Sequence, residues 1–287
     1  MRWRFGKRNN QVKVAWLFKA KGMIWRLLPT TDGYFVGEDR TLDNKKTTFF
    51  CIDQKSGEVR WQNVSFGEDW WISLEVIHDD IVFLHEYAVP SMPEHKKIFA
   101  LSLPTGKLLW SNDTLKFEFV AGEHVYASRE TFEARIFFEL DVRTGAVLRE
   151  LESGYINVIR EITPSSVAPI EFPTIFDPSN SHDVPLTDLI TKATAGANNI
   201  AQVEYLEKNK VLLVVYYDNI SANPTEQLLK QNIVIVGREK ADILYRDSMS
   251  EQATTPVPDL FFGSGDFAYY IQDKKNLKAV NLSATRN

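Results

Sequence analysis

The chain has 287 residues, a net charge of −5, 44% hydrophobic and 25% charged residues. That composition suits a soluble globular protein with a sizeable core and excludes a disordered polyelectrolyte. A lone cysteine, Cys51, excludes an internal disulfide, and no run reaches the roughly 18 apolar residues of a membrane helix.

Eight basic residues (Arg2, Arg4, Lys7, Arg8, Lys13, Lys19, Lys21 and Arg26) precede the first acid, Asp32. The simplest reading is a basic strand against an acidic body. A basic arm for nucleic acid or an anionic membrane is the sharper alternative, and nucleic acid is not the expected partner. The apolar run Val14–Phe18 is too short for a secretory signal and is followed by Lys19 and Lys21. A cytoplasmic monomer is therefore expected.

Val14-Ala15-Trp16 matches the later Val59-Arg60-Trp61, so it reads as a fourth strand with no first three before it. Three four-strand units follow, at about 24–66, 70–112 and 115–152. Residues 153–197 break the pattern. Strand signals at Tyr155–Ile162 and Ala168–Phe172 are followed by Pro173, Pro178 and Pro185, and Thr187–Ala195 suits a short helix begun by Asp183 or Thr187. This stretch reads as a degenerate unit with an irregular insertion. A further unit covers Asn199–Asp247, with a long loop at Asp218–Gln231. The last unit has only three strands: Asp259–Gly263, Phe267–Gln272 and Leu277–Leu282. The surplus first strand would complete it.

The units share a motif. FFCIDQKSGEVRW (Phe49–Trp61) recurs as IFALSLPTGKLLW (Ile98–Trp110) and FFELDVRTGAVLR (Phe137–Arg149). VGREKADILY (Val236–Tyr245) aligns without gaps on IDQKSGEVRW (Ile52–Trp61), placing Tyr245 at the Trp61 position. Gly57, Gly106 and Gly145 suit a turn position with φ > 0, and Trp61 and Trp110 are expected between neighbouring sheets. Sheet repeats of roughly 40–50 residues point to a β-propeller.

This strand–(S/T)G–strand–Trp pattern resembles the quinoprotein-like, PQQ-repeat-type β-propellers, most closely their small, functionally uncharacterised bacterial members. The likeness covers about 24–152 well and 199–284 loosely. It implies an all-β fold: a single propeller domain over 1–287 of about six four-stranded blades (five or seven being the alternatives), closed by the N-terminal strand. Larger relatives of this type that use a quinone have eight blades, an adjacent cysteine pair and a calcium-binding carboxylate. Cys51 is alone and the chain is short for eight, so no cofactor is expected. The resemblance also extends to an eight-bladed periplasmic assembly scaffold.

No motif of catalytic specificity is present. Gly263-Ser264-Gly265 lacks the G-x-S-x-G spacing, and no phosphate-binding glycine motif occurs. His78-Asp79-Asp80 and His85-Glu86 pair imidazole with carboxylate, but without H-E-x-x-H spacing or a cysteine partner, so no metal site is expected. Cys51 reads as a buried small hydrophobe. Loops between second and third strands (Glu38–Lys46, Tyr87–Lys96, Asp218–Gln231) vary, whereas third-to-fourth turns are uniform. Variable loops on a rigid scaffold are where binding concentrates. Trp70, Glu86, Tyr87 and Asn219 are the candidate ligand or partner surface. The expected function is a non-enzymatic scaffold for a protein or peptide. An enzyme or small-molecule binder, with a sugar or quinone-like ligand at the channel mouth, is the alternative.

Overall fold

The computed structural model describes residues 12–88, 94–162, 169–179, 183–223, 226–257 and 260–285. The basic stretch Arg2–Arg8, Pro164 and His182 lie outside them. The chain divides into two compact units: Ala20–Ala168, and Met1–Lys19 with Pro169–Asn287. Strand β1 (Val14–Lys19) belongs to the latter.

Unit Ala20–Ala168 holds three four-stranded antiparallel sheets, each in sequential order. The first is β2 (Met23–Pro29), β3 (Tyr34–Thr41), β4 (Lys46–Asp53) and β5 (Val59–Val64). The second is β6 (Ile72–His78), β7 (Ile81–Tyr87), β8 (His95–Ser102) and β9 (Leu108–Asn112). The third is β10 (Lys116–Ala121), β11 (His124–Glu130), β12 (Arg135–Asp141) and β13 (Val147–Leu151).

Inner strands are buried along nearly their whole length, as in β7, because a neighbouring sheet can cover either face. Outer strands bury little besides one tryptophan, Trp61 in β5 and Trp110 in β9. Val36, Phe49 and Cys51 of the first sheet pack with Ile72, Leu74, Val82 and Leu84 of the second. Ile81, Phe83 and Ile98 of the second pack with Phe117, Val125 and Leu140 of the third. Each repeat tryptophan donates its indole N–H into the following sheet's turn: Trp61 to the Leu103 carbonyl at 2.7 Å and Trp110 to that of Val142 at 2.9 Å. Gly57, Gly106 and Gly145 have φ of 71°, 67° and 69°, the left-handed conformation expected of them.

After β13 comes helix α1 (Ser153–Ile162), which corrects the strand expected at Tyr155–Ile162. Its β-branched residues suggested a strand. Yet the buried Ile156 and half-buried Ile159 stand three apart, one helical turn. Arg160 reaches Glu118 at 3.0 Å and covers the Phe119 ring.

In the other unit, β14 (Thr174–Ile175) pairs with β15 (Ile200–Lys208), and β16 (Val211–Asn219), β17 (Leu229–Gly237) and β18 (Ile243–Ala253) follow. This sheet has five strands, not four. Helix α2 (Val184–Ala193) starts at Asp183, whose carboxylate accepts from the Leu186 N–H at 3.0 Å. It buries Leu189, Ile190 and Ala193 against Leu212, Val214 and Val234. Among the described residues, 153–197 thus supplies two helices and a two-residue strand.

The last sheet is β19 (Phe261–Ser264), β20 (Phe267–Gln272), β21 (Asn276–Asn281) and β1, in the order β1-β21-β20-β19. Leu17 pairs with Lys278 and Phe18 with Leu277. The N-terminal strand therefore completes the C-terminal sheet, as its sequence match to a fourth strand implied. The described residues form five sheets in all. No helix among them is long and apolar enough to cross a membrane.

Candidate functional site

The second sheet carries a cluster that sequence pattern did not assemble. The hairpin β6–β7 turns at Asp79 and Asp80 and pairs Ile72 with Glu86, Ser73 with His85 and Leu74 with Leu84. The register then slips between Leu74 and Val76, leaving Glu75 in a bulge. A second slip, between β7 and β8, falls between Leu84 and Glu86 and leaves His85 unpaired on that side. Tyr87 then pairs with His95. Bulges re-aim side chains, and these two bring Glu75, His85 and His95 together.

Glu75 Oε2 lies 2.5 Å from His85 Nδ1 and 3.0 Å from His95 Nδ1. The two imidazoles are stacked, with ring centres 3.5 Å apart and planes 9° from parallel. The Tyr87 ring stands edge-on to both, at 5.0 Å from His85 and 5.6 Å from His95. Trp71 in turn packs edge-on to Tyr87. His85 is 1% exposed, whereas His95 is 30% and Glu75 21% exposed.

Burial opposes ionisation of Glu75, but the two facing imidazoles outweigh it and hold the carboxyl down at about 2. Burial pushes His85 below the usual histidine range despite the facing carboxylate. The close approach of His85 to Glu75 is not aligned as a hydrogen bond. Glu75 Oε2 and both ring nitrogens of His85 are buried without one. Buried polar atoms are rarely left so.

Beside the cluster lies a network whose charges are all engaged. Buried Glu38 accepts from Arg40 Nε at 2.5 Å, from the Ser73 hydroxyl at 2.7 Å and from the Leu74 N–H at 3.1 Å. Arg40 also donates to the Trp70 and Ile72 carbonyls at 3.2 and 3.0 Å. Its guanidinium is flanked by the Trp25 and Trp70 rings. Arg26 donates to the Leu74 carbonyl. This network joins β3 to β6, and its members are satisfied structurally.

The four residues singled out from sequence fall in different settings. Trp70 lies at the Arg40 clasp. Tyr87 borders the imidazole pair. Glu86 is a buried strand residue rather than a loop residue, and Lys97 Nζ lies 3.2 Å from it. Asn219 belongs to the other unit, where its amide oxygen accepts from the Ser221 and Leu228 N–H groups and shapes its own loop. The first of the variable loops is also shorter than expected. β3 runs on to Thr41, so Glu38–Arg40 is buried strand and the connection is only 42–45.

A cavity of about 230 Å³ opens between β8 and β10, lined by Glu94, Lys96, Lys97, Asp113, Lys116 and Arg129 among others. Its charges largely answer one another. Lys116 pairs with Glu94 and Glu130, and Lys97 with Glu86 and Asp113.

A family model described as a domain of unknown function (DUF4905) matches residues 28–110, which include Glu75, His85 and His95. No curated protein matches the chain. Similar solved structures include BamB from Moraxella catarrhalis, at 10% identity over 95% of this chain and 98% of that one, with a TM-score of 0.30. Hydrazine synthase of Kuenenia stuttgartiensis is 13% identical over 85% of this chain and 60% of its own, with a TM-score of 0.29. The β-propeller domain of the Trilobed protease from Pyrococcus furiosus is 10% identical over 88% and 64%, with a TM-score of 0.31.

Proposed function

We propose that the chain is a single β-propeller, its ring of blades closed by β1, and that it acts as a non-enzymatic scaffold. Its partner is a protein or peptide held by the loops between second and third strands. The proposal keeps the monomeric state and cytoplasmic location expected from the sequence.

The observation that carries this reading is Phe132. It sits on the four-residue connection between β11 and β12 and is fully exposed, at 105%. The loop that presents it is braced. Thr131 N donates to the Ala134 carbonyl at 2.9 Å, the Thr131 hydroxyl to the same carbonyl at 2.8 Å, and Ala134 N to that hydroxyl at 3.1 Å. An aromatic ring held in solvent by a pre-ordered loop suits an interface anchor, because little further ordering is needed on binding. Leu42, 61% exposed, occupies the same connection of the first sheet. In the other unit Ile220, 47% exposed, does so between β16 and β17.

The test is cross-linked co-isolation from the native cell with three versions of the chain: wild type, Phe132→Ser with Leu42→Ser, and Val59→Ser. Val59 is 44% exposed but lies beside the third-to-fourth turn. A partner lost only from the loop variant supports the proposal. A partner kept by the loop variant, or lost equally from both, refutes it.

A further inference from the structure

We propose that Glu75, His85 and His95 form a binding site for one divalent transition-metal ion of the zinc class, with a coordination position left for water or a small anion.

The donor set selects the ion. Two imidazoles and one carboxylate suit zinc and its neighbours, whereas magnesium and calcium favour all-oxygen sites. Three protein ligands of this composition with an open position are a recurrent zinc arrangement. The geometry is close to that required. One donor atom from each residue lies within 4.8 Å of the other two. Tetrahedral zinc bonds of roughly 2.0–2.2 Å set donors about 3.4 Å apart. Glu75 Oε2, now 2.5 and 3.0 Å from the two Nδ1 atoms, has only to draw back slightly while the two parallel rings fan around the ion. His95, at the first position of β8 and 30% exposed, has room to move, while His85 is fixed in the interior.

Three features separate this cluster from an ordinary core network. Glu75 has no Lys or Arg paired with it among the described residues, unlike Glu38, Glu86, Glu118 and Asp247. Arg26 is engaged by the Leu74 carbonyl. Both nitrogens of His85 and Oε2 of Glu75 lack hydrogen-bond partners, so an ion would answer the unsatisfied atoms. Finally, Tyr87 borders both rings and limits their orientation, the supporting role that residues around a metal's ligands take. The partly exposed edges of Glu75 and His95 supply the entry path.

Untagged full-length protein, dialysed against chelator and then titrated with zinc chloride by calorimetry, tests the site. One equivalent is expected to bind, with affinity at least about tenfold lower in His95→Ala and in Glu75→Gln. The control His78→Ala with His124→Ala, at the surface histidines, should match wild type. Cobalt(II) should give visible bands in wild type that are lost in His95→Ala, and circular dichroism confirms that each variant is folded. Less than half an equivalent of zinc in wild type overturns the proposal. So does an affinity unchanged in both ligand variants.

Discussion

Trp61 lies directly beneath Gly106 of the next sheet. A Cβ on that glycine would stand 2.8 Å from Cδ2 of the indole. Trp110 and Gly145 repeat the relationship, at 2.5 Å from Cε3. The repeated motif is therefore the two halves of one inter-sheet joint. Its tryptophan reaches forward, and its glycine receives the tryptophan before it. Positive φ alone does not explain these glycines, since the approach of the ring also excludes a side chain.

The joint predicts unequal costs for alanine. Gly33 also has a positive φ, 85°, but nothing within 4 Å of an added Cβ. Gly33→Ala should cost about 1–2 kcal/mol from the backbone alone. Gly106→Ala should cost about 2–4 kcal/mol, because overpacking against Trp61 adds to it. Urea unfolding of both variants compares them, and equal losses would remove the packing role of Gly106.

Ala241 occupies the Gly57 position of the aligned turn and has φ of 51°, which an L side chain adopts at a cost. Ala241→Gly should raise stability by up to about 1 kcal/mol, the relief of strain being partly offset by greater unfolded-chain entropy. Thermal unfolding reads this as an increase in Tm. A decrease would mean the strain is compensated locally.

Tyr245, at the Trp61 position, builds a polar version of the joint. Its hydroxyl lies 2.6 Å from that of Tyr270, and Tyr270 and Lys278 each reach Asp247 Oδ2 at 2.5 Å. Burial raises the pKa of Asp247, but Lys278 and Tyr270 outweigh it and leave it below the usual value of 3.8. A depressed folded-state pKa contributes stability that is full above the unfolded value and is lost as pH falls through the folded one. Asp247→Asn should therefore cost about 1–2 kcal/mol at neutral pH, and its deficit relative to wild type should shrink below about pH 4. A deficit that does not change with pH would contradict this assignment.

Cys51 is fully buried in the joint between the first two sheets, and burial pushes its thiol up to about 12. Thiolate is the reactive form. A maleimide should label native protein at a negligible rate and unfolded protein fully. Rapid labelling of the native chain would show that this sheet opens readily.

The sheets were legible because their turn chemistry repeats: Ser56-Gly57, Thr105-Gly106 and Thr144-Gly145 mark the same place in each. The pairing of β1 with β21 was legible too, since Val14-Ala15-Trp16 carries the fourth-strand pattern and the last unit lacks that strand. Helix α1 was not. Its β-branched residues outweighed an inward face of only Ile156 and Ile159. The Glu75–His85–His95 cluster was hidden by two bulges. His85 was noted beside Glu86, its neighbour in sequence, but successive strand residues point to opposite faces. The usable signal was the hairpin turn at Asp79-Asp80, which sets Glu75 diagonally across from His85. Glu38 and Arg40 escaped notice as a pair because a charged strand end reads as loop, while their burial depends on contacts with β6.

The central functional claim rests on the tip residue Phe132, and the affinity of the isolated partner for the chain tests it most directly. Phe132→Ser should weaken binding at least about tenfold, as expected of an interface anchor, with Tm unchanged. Val59→Ser should leave the affinity as in wild type. Equal affinity of wild type and Phe132→Ser would contradict the account.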